Sequence, residues 1–184
     1  MPLEFDLDDH GLFQTARTRL ASWAGYLDRS GPYGGPGTAE RSDGTVEIVF
    51  APEGRDANPL GDHEQALVQW FLDHEADVSQ AVKTAVFKAY GELRESGDFS
   101  PQEAEELLPM QTTPGDLQQL IGLYVVNVHQ IAKDGIPYLG FEFGCTWDQE
   151  HGLGVLMHGT RVVAVGGNDT AGLLWIAKQD AGQS

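Results

Sequence analysis

The chain is poor in basic residues, in cysteine and in long apolar runs. Eleven lysines and arginines stand against 28 aspartates and glutamates, which gives a formal net charge of −17. A protein with this charge repels nucleic acid and anionic membranes, and it attracts cationic partners. We therefore expect a protein that binds neither nucleic acid nor a membrane surface.

The cysteine content and the amino-terminal sequence bear on the compartment. A single cysteine cannot form a disulfide within the chain, and this is typical of a reducing compartment. Residues 1–9 lack the basic and apolar regions of a signal peptide, and no apolar run approaches the length of a membrane span. These features predict a cytoplasmic protein.

The sequence motifs of common enzyme classes are missing as well. The chain has no G-x-G-x-x-G, no Gly-Lys-Ser/Thr phosphate loop and no G-x-S-x-G elbow. These motifs would have indicated a bound nucleotide or a serine nucleophile. We therefore expect no cofactor, and the absences favour a protein that is not an enzyme.

The apolar pattern predicts an α+β fold in one domain spanning 1–184. Apolar residues make up 41% of the chain, which suffices for a core. A helical segment is expected over about 62–108, because apolar residues recur there at steps of three and four. A C-terminal β-meander is expected over about 121–167, where apolar segments alternate with turn residues. We expect an antiparallel sheet with the helices packed on one face.

Local signals add detail to this outline. The glycine- and proline-rich stretch at 30–37 is expected to be a loop, and residues 45–50 are expected to form a further strand. The helical segment is long for a globular helix, so a break with Asp77 or Ser79 as the second N-cap is expected.

The segment 145–155, called the signature segment below, carries an unusual density of reactive side chains. It reads Cys-Thr-Trp-Asp-Gln-Glu-His-Gly-Leu-Gly-Val. Strand alternation puts Phe141, Phe143, Cys145 and Trp147 on one apolar face. Cys145 is therefore expected to be a buried apolar residue and not a nucleophile. We interpret the segment as a hairpin connection that shapes the backbone.

The remaining residues of the signature segment fit this interpretation. Asp148 is expected to accept hydrogen bonds from the backbone amides of residues 150 and 151, while Gly152 and Gly154 allow positive φ or close packing. His151 is expected at the rim. The spacing lacks the further ligands that calcium or zinc requires, so no metal is predicted. A hydrolase or a metal-stabilised domain that uses Asp148, Glu150 and His151 stays open as an alternative.

Acidic residues cluster around the end of the long helical stretch and the start of the next helix. We call this set the acidic face; it consists of Glu92, Glu95, Asp98, Glu103, Glu105 and Glu106. A solvated surface is one explanation of the cluster. The other is a binding face for a cationic protein such as a toxin, whose capture the acids would accelerate.

The carboxy-terminal part of the chain resembles a bacterial domain family of unknown function. The family signature is C-x-W-D-x-E-H-G-L-G-V, and the resemblance is specific over about 116–170. The matching residues are Asp134-Gly135, Gly140-Phe141-Glu142-Phe143, Cys145-Thr146-Trp147-Asp148, Glu150-His151-Gly152-Leu153-Gly154-Val155 and Val165-Gly166-Gly167. A tryptophan–glycine strand of the family is similar to 22–26. Proteins of this kind resemble members of toxin–immunity systems, which implies an immunity-type binding protein and assigns no catalytic residues.

Overall fold

A computed structural model describes residues 1–28 and 40–183 of the protein. The predicted glycine- and proline-rich loop at 30–37 lies outside these ranges. Within them, no helix has both the length and the apolar character needed to cross a lipid bilayer.

A seven-stranded open sheet forms the centre of the fold, and its strands follow one another in chain order. The strands are β1 (Asp6–Leu7), β2 (Gln14–Arg19), β3 (Thr45–Phe50), β4 (Ile121–Lys133), β5 (Ile136–Cys145), β6 (Leu153–His158) and β7 (Arg161–Gly166). The predicted strand at 45–50 is confirmed, and β4 to β7 pair as the predicted antiparallel meander.

The expectation of a purely antiparallel sheet is wrong at one pair of strands. β3 and β4 run parallel, with Glu47 opposite Val125 and Phe50 opposite Val128. A parallel pair needs a long connection that returns the chain to the starting end of the sheet. The helices between residues 62 and 107 provide that connection.

Four α-helices accompany the sheet. They are α1 (Asp62–Asp73), α2 (Glu75–Glu95), α3 (Pro101–Leu107) and α4 (Leu174–Ala181). Ser100 caps α3 through a capping box with Glu103, whose carboxylate accepts from the Ser100 amide at 2.9 Å. The long helical stretch breaks at His74, which is the N-cap of α2, and the predicted break at Asp77 or Ser79 is wrong because both residues lie inside that helix.

Ser79 serves instead to anchor the amino-terminal region. Trp23 is buried and donates its Nε1–H to the Ser79 hydroxyl at 2.8 Å. The resemblance implied a strand at 22–26, but Ala21–Trp23 forms a short 3-10 helix. Lys83 of α2 holds this turn by donating to the Ser22 carbonyl at 2.6 Å.

Helices cover both faces of the sheet. The helices of 62–96 pack on one face, as expected, and α4, which was not predicted, packs on the other. α1 and α2 cover the face that carries Leu139, Phe141 and Phe143, all fully buried. On the opposite face, Tyr138 packs with Leu156 and with Ala177 of α4. Gly140 of β5 faces the same side, and its missing side chain lets the segment before α4 approach the sheet closely.

Candidate functional site

A pocket of about 910 Å³ opens between α2 and the β6–β7 end of the sheet. Three aromatic rings line it, those of Tyr90, Phe99 and Trp147. Aliphatic side chains extend this wall; they are Val86, Leu93, Leu153 and Val165. The volume lies within the range of small-molecule sites, which is about 300–1,000 Å³. The pocket is therefore the natural candidate for a binding site.

The signature segment supplies one side of the pocket as the β5–β6 connection. Trp147, Asp148, His151 and Gly152 line the pocket. Cys145 and Glu150 belong to the same segment, but the cysteine is buried and the glutamate points to solvent. The structure thus brings together part of the signature segment at a cavity.

Cys145 lies in the core, as the strand alternation predicted. Its side chain is fully buried, and its Sγ donates to the Asp148 carbonyl at 3.3 Å. A buried thiol that donates a hydrogen bond has little thiolate character. This geometry leaves Cys145 with a packing role.

Asp148 organises the turn that follows. Its Oδ1 accepts from the His151 amide at 2.9 Å, which is one of the two backbone bonds predicted for it. The same oxygen lies 3.1 Å from His151 Nδ1. Asp148 therefore fixes both the backbone and the imidazole ring of His151, and the ring remains exposed at the rim of the pocket.

Gly154 permits a close approach of backbone beside the pocket. A Cβ at Gly154 would lie 2.4 Å from the Gly167 carbonyl oxygen and 2.8 Å from that of Asn168. Any larger residue would push the 166–169 segment away from the sheet. The glycine thus allows Gly167, Asn168 and Asp169 to line the pocket.

A polar cluster lies at one end of the pocket and includes Glu142, which also lines it. Asn127 is buried and donates its Nδ2–H to Glu142 Oε1 at 2.7 Å. Tyr124 shares a hydrogen bond with the same carboxyl group and accepts one from the Asn168 amide. Burial raises the pKa of Glu142 above its usual value, while the bonds from Asn127 and Tyr124 oppose the shift.

The polar cluster was missed by the sequence analysis. Glu142 stands between two buried phenylalanines in a strand that is otherwise apolar. An isolated acid in such a strand could have indicated a functional site, because burying a carboxylate is unfavourable unless polar groups or a ligand stabilise it. Tyr124, Asn127 and Asn168 come from distant parts of the chain, and only the fold brings them to Glu142.

The six acids of the acidic face are all exposed, and none of them lines the pocket. Glu103 is occupied in the α3 capping box, and Glu105 accepts from Arg94. Glu92 lies 3.8 Å from Lys88, which is a loose surface pair. Leu93 follows Glu92 and Phe99 follows Asp98 in the sequence, and both apolar residues line the pocket. The acidic face therefore borders the pocket.

Metal ligation was the other alternative for the signature segment. Over residues 1–28 and 40–183, no group of three or more histidine, cysteine, aspartate or glutamate side chains is placed to hold a metal ion. Asp148 and His151 face each other there, and Glu150 is exposed.

Comparison with known proteins identifies the family. No curated protein and no solved structure matches the chain. A family model does match residues 33–173, which include β3 to β7, the helices α1 to α3 and the whole signature segment. The chain therefore belongs to the family described as a domain of unknown function, DUF6985.

Proposed function

We propose that this domain is a non-enzymatic binding protein that captures a cationic protein, in the way that an immunity protein neutralises a toxin. The observation that carries the proposal is the exposed acidic face at the junction of α2 and α3. It belongs to a chain with a net charge of −17. Acids in this number accelerate and stabilise the encounter with a basic surface.

The basic residues near the acidic face do not neutralise it. Arg94 is half-buried and donates to the Leu108 carbonyl at 2.9 Å and to Glu105. Lys88 lies near Glu92 alone. Glu95, Asp98 and Glu106 are exposed, and no cationic side chain pairs with them among the described residues. The face therefore retains negative charge for a partner.

The experiment is to mix the purified protein with the purified product of the adjacent gene and with other candidate toxins. A stable complex that weakens steeply as salt is added is expected, since charged surfaces are screened by salt. Failure of every candidate to form a complex would remove the immunity role.

A second candidate function is hydrolysis at the signature segment. The favouring observation is that Asp148 holds His151 through Nδ1, and both residues line the pocket. A carboxylate-oriented imidazole can serve as a general base for water through its other nitrogen. If a preparation shows hydrolytic activity, a His151→Ala variant should lose it; unchanged activity in that variant would eliminate this candidate.

A further inference from the structure

We propose that the pocket binds a small organic cation, in which an ammonium or guanidinium group is attached to an apolar body. The inference is independent of the protein partner proposed above, because none of the acidic-face residues lines the pocket. It rests on the size of the cavity, the chemistry of its walls and the charge at its polar end.

The walls of the pocket fit the apolar body of such a ligand. Trp147 and Tyr90 meet edge to face, with ring centroids 5.1 Å apart, and Phe99 is the third ring. Tyr90 donates its hydroxyl to the Pro109 carbonyl at 2.6 Å, so the polar group of this ring is already satisfied. Aromatic faces attract cations as well as apolar groups.

The charge of the pocket is negative. Glu142, Asp148 and Asp169 line it, and no lysine or arginine does so among the described residues of its wall. Asp148 contacts the His151 imidazole. Glu142 and Asp169 have no cationic partner within the described ranges. A ligand with a positive charge would supply the missing countercharge, whereas an anion would be repelled.

The polar end also contains one buried hydrogen-bond acceptor that has no donor among the described residues. The side-chain amide of Asn127 donates a hydrogen bond to Glu142, and that of Asn168 donates one to the Tyr124 hydroxyl. The buried Oδ1 of Asn168 has no hydrogen-bond partner in the described part of the chain. An ammonium or guanidinium group brings several N–H donors and no acceptor, which complements this end.

The test uses three probes of nearly equal shape: the 2-phenylethylammonium ion, 2-phenylethanol and 3-phenylpropionate. Binding is followed by NMR, with the amides of Gly152 and Gly167 as reporters of the pocket. We expect the cation to bind about tenfold more tightly than the alcohol, because a hydrogen bond to a charged group is stronger than a neutral one. The anion is expected to bind more weakly than the alcohol.

Matched variants assign the preference to the pocket. Glu142→Gln and Asp169→Asn each remove one charge that lines the pocket, and each should reduce the preference for the cation by about fivefold. Glu150→Gln removes from the β5–β6 connection one charge that does not line the pocket, and the preference should not change. Far-ultraviolet circular dichroism confirms that each variant is folded.

Three results would overturn the inference. One is the absence of shifts at Gly152 and Gly167 with the cation at about 10 mM, a weak but measurable range. Another is equal binding of cation and alcohol. The third is a preference that survives in both Glu142→Gln and Asp169→Asn, because the selectivity would then arise elsewhere.

Discussion

Trp147 joins the signature segment to the core and to the pocket at once. Its ring is half-buried, packs against the main core and meets Tyr90 edge to face at 5.1 Å. Two neighbours in the segment have one role each. Cys145 is buried in the core, and Asp148 fixes the turn by accepting from the His151 amide. The Trp147 side chain therefore belongs both to the packing of the core and to the wall of the pocket.

A Trp147→Ala substitution should destabilise the protein by about 2–3 kcal/mol, because it removes a large ring from a packed position. Trp175→Ala is the matched control: Trp175 is 60% exposed, and its loss should change stability by less than about 0.5 kcal/mol. Urea denaturation measures both. Equal stability of the Trp147 variant and the wild type would contradict the core contact.

Glu142 makes stability depend on pH. Its pKa is raised in the folded protein, chiefly by burial, from an ordinary value of 4.5. A raised pKa favours folding below the ordinary value, and that contribution is lost as the pH rises through the raised one. A Glu142→Gln variant lacks this loss, so it should gain stability relative to wild type as the pH rises from about 4, below the ordinary value, to about 8.

Urea unfolding at the two pH values measures the gain. Glu150→Gln is the control, because Glu150 is an exposed acid in the loop that follows β5, and its stability difference from wild type should stay constant. A constant difference for Glu142→Gln as well would show that burial of its carboxylate does not oppose folding.

Individual residues differ in how far the sequence predicts them. The burial of Cys145 and the Asp148 bond to the His151 amide follow from strand alternation and turn chemistry, which are local. The role of Glu142 was not predicted, because Asn127 and Asn168 reach it only through strand pairing and a return of the chain.

The segment Asn168–Gly172 and helix α4 dock on the sheet through small residues. A Cβ at Gly140 would lie 1.8 Å from the Ala171 carbonyl oxygen. His129 is buried and lies with Nε2 2.9 Å from the same oxygen. Docking therefore depends on a missing side chain in β5 and on hydrogen bonds to β4, which include those of His129 with Ala171 and of Asn168 with Tyr124.

A Gly140→Ala variant should lose about 2–3 kcal/mol of stability, since the added methyl group overlaps backbone atoms that cannot move independently. The change should also shift the amides of Asn168 and Asp169, which line the pocket. NMR and urea denaturation report the two effects.

Gly91 in α2 provides the control for this substitution. No heavy atom lies within 4 Å of a Cβ built there. Gly91→Ala should stabilise the protein by about 0.5–1 kcal/mol through the greater helix propensity of alanine. If both alanine variants had the same stability, the close packing at Gly140 would be refuted.

The helices and strands were predictable where the pattern is local and strong. β3 and the four strands of the meander follow from apolar runs between turn signals. The parallel pairing of β3 with β4 was not predicted, because pairing direction depends on how the α1–α3 connection crosses the sheet. Helix α4 was missed because eight residues give little periodicity.

Charge is the dominant property of the whole molecule, and it is unevenly placed. The acidic face gathers at the α2–α3 junction, next to a pocket whose described walls include acids and no lysine or arginine. At the opposite edge of the sheet, Asp6 of β1 and the flanking Glu4, Asp8 and Asp9 form a second group of acids. If charge density alone mattered, either region would serve a cationic partner equally well.

The most direct test of the binding function is calorimetric titration with the product of the adjacent gene. The face variant combines Glu92→Gln, Glu95→Gln, Asp98→Asn and Glu106→Gln. The control variant removes the same charge elsewhere through Glu4→Gln, Asp6→Asn, Asp9→Asn and Asp134→Asn. All eight positions are exposed, and Glu103 and Glu105 are kept because they cap α3 and accept from Arg94.

We predict that wild type binds this product, that the face variant binds it at least about tenfold more weakly, and that the control variant stays within about twofold of wild type. If wild type binds neither this product nor any other candidate toxin, or if both variants lose the same affinity, a partner-binding role of the acidic face is contradicted.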